Sequence, residues 1–161
     1  MSPAMTASIR NRLIFLGSAW GVLLAAVPAL VITRPYRLTG FLVAALLCAA
    51  LSGCVGTLVA GRRAALRGEG SSGLVAGFGT GFLQGLVGGA FAALLIWALM
   101  ALTLSGFSLQ NPVELSTLMR PRVFLGSFFV ALSVFLYAVA AGLLLGPAFG
   151  RLVESAVREG P

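Results

Sequence analysis

Long apolar blocks alternate with short polar stretches along this chain. The blocks cover 13–33, 38–61, 73–104 and 123–149, and arginines or turn residues separate them. A helix needs about 20 apolar residues to cross about 30 Å of hydrocarbon, and every block reaches that length. The pattern predicts an all-α integral membrane protein, a single domain of four transmembrane helices in an antiparallel bundle with glycine-rich helix packing. A short surface helix is expected between the third and fourth.

Details within the blocks refine this picture. Pro28 lies inside the first block, where its missing N–H leaves the Leu24 carbonyl without its usual partner and should bend the helix. Arg34-Pro35-Tyr36-Arg37 is a short connection, so the first two helices should form a tight hairpin, with Tyr36 suited to the headgroup zone. Residues 62–72 read as a flexible loop carrying Arg62, Arg63, Arg67 and Glu69 among glycines and serines. As a helix the third block would be about 48 Å long, more than the hydrocarbon needs, so it must tilt, protrude or stop early. Asn111-Pro112-Val113-Glu114 is a helix-start pattern and predicts a surface helix over 112–119, ending before Pro121. Leu51-Ser52-Gly53-Cys54 has the outline of a lipoprotein cleavage box. It follows an earlier span and the apolar run continues past it, so it reads as small residues in a packed helix.

Composition then narrows the function. Hydrophobic residues make up 59% of the 161-residue chain and charged residues 9%, against roughly 25% charged in soluble domains. All eleven basic residues are arginine, and the net charge is +7. They sit in turns between apolar blocks rather than on one solvated face, which favours membrane topology and anionic lipid over nucleic acid. Arg10, Arg12, Arg62, Arg63, Arg67, Arg151 and Arg158 fall on one side, and Arg34, Arg37, Arg120 and Arg122 on the other. The bias places both termini in the cytoplasm, in a cytoplasmic (inner) membrane, with Arg62, Arg63 and Arg67 meeting lipid headgroups. In outline the chain resembles small glycine-rich four-span bacterial membrane proteins. The resemblance covers architecture alone.

One constellation is informative. Gly73, Gly77, Gly81, Gly85 and Gly89 recur every four residues, and Ala93 extends the row. Glycine is poor in helix interiors in water, but along a membrane helix it lets a second backbone approach closely. Shorter rows occur at Gly17 and Gly21 in the first helix, at Ala45, Ala49, Gly53, Thr57 and Gly61 in the second, and at Ala138, Gly142, Gly146 and Gly150 in the fourth. Gly79 and Gly88 lie off the main row and suggest a second neighbour for the third helix, a partner outside the four-helix bundle.

The remaining chemistry is sparse. The chain has no histidine, which removes the commonest metal ligand and general base. Cys48 and Cys54 cannot build a metal site alone, and both lie in an apolar block. No Asp, Glu, Lys, Arg or His falls inside the four blocks, whereas ion-coupled transporters carry such groups at depth. Small four-helix multidrug exporters, comparable in size, rely on a glutamate in their first helix, and none stands there. Gln84 is the most polar residue at depth, with an interhelical hydrogen bond as its expected role. The many phenylalanines suit lipid contact, and they would equally suit a bound lipid, quinone or pigment. Trp20 and Trp97 read as lying within spans, where either could mark a protein contact or a bound hydrophobic molecule. Catalysis is not expected and no cofactor is required. These residues point to a structural or accessory subunit of a larger membrane complex. A small oligomeric transporter or pore is the alternative, and the partners would be lipids, other membrane subunits or further copies of the chain.

Overall fold

The structure, a computed structural model, describes residues 7–33, 39–67, 74–105, 117 and 119–158. It is helical, with α1 Ala7–Thr33, α2 Thr39–Arg67, α3 Leu74–Leu104 and α4 Pro121–Arg158. Each is long and apolar enough to cross a membrane, which makes this a multi-pass membrane protein. The expected surface helix over 112–119 and the tight turn with Tyr36 fall outside the described residues, Thr117 and Met119 apart.

Three of the helices outrun their apolar blocks at the same end of the bundle. The first begins six residues before Leu13, the second continues to Arg67, and the last continues to Arg158. Arg62 and Arg63 therefore ride the exposed final turns of α2, and Arg67 closes it, where a loop was expected. The reason is visible in the packing. Leu13, Phe149 and Val153 form a fully buried cluster at this end, with Ile9, Leu16, Trp20, Leu58 and Val157 against it. Ile9, Val153 and Val157 of that cluster lie past the apolar blocks of the first and last helices and give those ends something to pack on.

The helices pack in chain order. The contact between α3 and α4 is the largest, followed by α1 with α2 and α2 with α3; smaller contacts join α4 to α1 and to α2. Along both large contacts, partner numbers fall on one helix as they rise on the other: Gly17 meets Gly53 and Thr57, while Gly21 meets Ala49 and Gly53. Elsewhere the surface is strongly apolar, with Phe15, Leu23, Leu94, Phe129 and Leu144 well exposed. Lipid is the solvent that such a surface fits.

Candidate functional site

Two glycine crossings bring helix backbones into close approach among the described residues. At the first, a Cβ built on Gly17 would stand 2.6 Å from the Gly53 carbonyl oxygen and 2.7 Å from Thr57 Oγ1. On Gly21 it would run into the Ala49 carbonyl oxygen, and on Gly53 into that of Gly17. At the second, α3 lies on α4. A Cβ on Gly81 would meet the Cα and carbonyl of Gly146, one on Gly85 would stand 2.9 Å from Gly142 Cα, and one on Gly150 would strike the Gly77 carbonyl. A Cβ on Gly89 would be 2.8 Å from that of Ala138. Backbone meets backbone at Gly21, Gly53, Gly81, Gly85 and Gly150, while Gly17 and Gly89 also meet the Thr57 and Ala138 side chains. Gly73 lies outside the described residues.

A second row runs beside the first on α3. A Cβ on Gly56 would stand 2.7 Å from the Gln84 carbonyl oxygen, and one on Gly88 would be 3.0 Å from that of Ser52. The off-row Gly88 thus finds its second neighbour within this chain, in α2. Gly56 belongs to the same contact and was missed in the sequence. Its signal was a spacing of four from Ser52, hidden beside the stronger row through Gly53 and Thr57.

The buried polar side chains gather near these crossings. Ser52, Thr80 and Gln84 are 3%, 2% and 5% exposed, and Thr57 and Ser127 are fully buried. Most of the hydroxyls that lie at depth donate to their own helix. Ser52 Oγ donates to the Cys48 carbonyl at 2.6 Å, Ser127 Oγ to that of Val123 at 2.8 Å, and Ser133 Oγ to that of Phe129 at 2.9 Å. Thr80 Oγ1 donates to Glu154 Oε1 at 3.4 Å, tying α3 to the end of α4. Thr57 Oγ1 and Trp97 Nε1 are buried without a hydrogen-bond partner.

Two cross-chain contacts were not legible beforehand. Tyr137 Oη donates to the Leu24 carbonyl at 2.9 Å. That is the acceptor Pro28 leaves unpaired, and α1 continues as helix to Thr33. The tryptophans are the second case. Trp20 stacks on Phe149 with centroids 4.5 Å apart, and Trp97 stands edge-on to Phe124 at 6.0 Å. Phe149 is two residues from Arg151 and Phe124 two from Arg122, while both indoles lie within helices long and apolar enough to cross a membrane, in Ala7–Ala26 and Gly77–Leu104.

Cys48 and Cys54 are free and half-buried. Among the described residues no group of three His, Cys, Asp or Glu side chains is placed to hold a metal ion. Comparison with known proteins gave no matching family model, no matching curated relative and no matching solved structure.

Proposed function

We propose that the chain is a non-catalytic structural or accessory subunit of a larger complex in the cytoplasmic membrane, where a respiratory or photosynthetic assembly would fit. In this reading the four helices form an antiparallel bundle closed by glycine packing, with both termini on the cytoplasmic side. The bundle offers a preformed apolar surface to neighbouring subunits, to further copies of itself and to lipid or cofactor tails. Quinone or pigment tails would meet the phenylalanine faces. Arg62, Arg63 and Arg67 meet anionic headgroups.

The observation that carries the reading is the pair of crossings at Gly17–Gly53 and Gly81–Gly146, where backbones touch and leave no space between them. Helices packed at that distance make a rigid body, while the groups available for chemistry stay few. Affinity isolation from native membranes in mild detergent tests the proposal. Recovery of fixed membrane partners supports it, and a lone monomer both in detergent and in lipid nanodiscs contradicts it.

Ser52 and Gln84 favour the second reading, a small oligomeric transporter or pore, because they put buried polar groups where α2 meets α3 beside Gly56 and Gly88. Ser52 already donates to its own helix, which leaves less of that polarity free to line a path. Liposome flux decides the matter: absence of flux for ions and common amphiphiles removes the pore.

A further inference from the structure

The aromatic contacts mark two levels along the molecule. Trp97 shares a level with Phe124, and Trp20 shares one with Phe149. Those two levels are roughly 38 Å apart along α4 at the helical rise. A bilayer is about 30 Å thick in its hydrocarbon and about 40–45 Å with its interfaces. Two indoles at the two interfacial zones, where ester carbonyls and phosphates lie and where tryptophan is enriched, would have a separation of that size.

The two ends differ. Trp20 is packed into the buried cluster with Leu13 and Val153. Trp97 is half-buried beside a run of exposed rings. Phe124 stacks parallel with Phe128 at 6.3 Å, and Phe128 stands edge-on to Phe129 at 6.2 Å. The Trp97 N–H has no acceptor. A donor left so costs free energy that an acceptor from outside the chain would recover. Phe124 N donates to the Arg120 carbonyl at 3.0 Å, so Arg120 is in helical register one turn above Phe124. Arg120, Phe124 and Phe128 fall at spacings of four and form one stripe. Arg122 is two residues from Phe124 and points to the other side of the helix. Arg120 is exposed, and Glu154, the one acid among the described residues, lies at the opposite end of the bundle.

We propose that Arg120, Trp97, Phe124 and Phe128 form a binding site for one anionic glycerophospholipid. The guanidinium of Arg120 meets the phosphate, and the positive first turn of α4 adds to it. The Trp97 indole donates to an ester carbonyl after a small rotation of the exposed Phe124 ring. The faces of Phe124 and Phe128 take the first methylenes of an acyl chain. The site needs only that the chain spans a membrane, so it stands or falls separately from the accessory-subunit reading.

Native mass spectrometry of the full chain in mild detergent, titrated with phosphatidylglycerol or phosphatidylcholine, tests it. The intact chain should retain phosphatidylglycerol several-fold more tightly than phosphatidylcholine. Arg120→Gln should abolish the preference, Arg122→Gln should leave most of it, and Trp97→Phe should weaken retention up to about tenfold, the worth of one buried hydrogen bond. Equal retention of the two lipids overturns the site. So does an equal effect of the two arginine substitutions, which would reveal unspecific charge attraction. Unchanged retention in Trp97→Phe overturns it as well, since the indole would then be satisfied by the Phe124 ring. If Trp97→Phe does not fold, Trp20→Phe leaves Trp97 as the only indole. In that chain brominated phosphatidylglycerol must quench Trp97 more than brominated phosphatidylcholine at equal mole fraction; equal quenching overturns the proposal.

Discussion

Adding one methyl group at Gly81 should pry α3 from α4, and the geometry sets how far. The new Cβ would stand 2.5 Å from the Gly146 carbonyl carbon and still closer to its Cα and oxygen. Carbon atoms rest at about 3.5–4.0 Å, so the backbones must separate by roughly 1 Å. A gap of that size forfeits a quarter to a half of each affected dispersion contact along the crossing. Overpacking of this kind costs about 1–3 kcal/mol, while replacing a helical glycine by alanine returns up to about 1 kcal/mol. Two other glycines calibrate the result. A Cβ on Gly146 would be 3.3 Å from Gly81 Cα, which asks only a few tenths of an ångström, and one on Gly126 would touch only Leu104 Cδ1 at 3.5 Å. Unfolding in bicelles should therefore rank Gly81→Ala below Gly146→Ala, and Gly146→Ala below Gly126→Ala. The alanine gain is common to both, so the gap between the first and last should be the overpacking cost, about 1–3 kcal/mol. If the three agree within about 0.5 kcal/mol, close backbone packing does not hold this interface together and the reasoning fails.

Other substitutions probe other joints. Tyr137→Phe removes the donor to Leu24 and should lower stability by about 1–2 kcal/mol in the same assay, because the carbonyl opposite Pro28 is left unpaired. Leu13→Ala opens a cavity in the fully buried cluster with Phe149 and Val153, and a loss of about 2–4 kcal/mol is expected. Thr80→Val breaks a long hydrogen bond to a partly exposed Glu154 and should cost less than about 1 kcal/mol, so a much larger loss would assign that pair a greater role. Gly40→Ala, with nothing within 4 Å of its Cβ, should be neutral or slightly stabilising.

The four spans were legible because hydrocarbon thickness imposes a minimum apolar length that few other structures require. The tight crossings were legible in part. The row through Gly77, Gly81, Gly85 and Gly89 marks one ridge of one helix, and that ridge meets Gly150, Gly146, Gly142 and Ala138 in turn. Of the contact between Gly56 and Gly88 only Gly88 drew notice in the sequence, since Gly56 is one small residue beside a longer row. Helix ends were misjudged for a physical reason. Arginines at positions 10, 12, 62 and 63 looked like stops, yet each occupies the exposed side of a helix whose other side packs on Leu13, Ala60 or Val153. The tyrosine that serves Leu24 lies 113 residues away in sequence, and no local pattern announces such a pairing. The ring partners of Trp20 and Trp97 became clear only in the structure, where each indole meets a phenylalanine two residues from an arginine.

The most direct test of the packing-subunit account is the composition of the particle that carries this 16.5 kDa chain when native membranes are dissolved gently. Mass analysis of that particle should find the chain in constant ratio to other membrane polypeptides across different mild detergents. Recovery of the chain alone, as a single copy in every detergent and again after transfer to nanodiscs, would contradict the account.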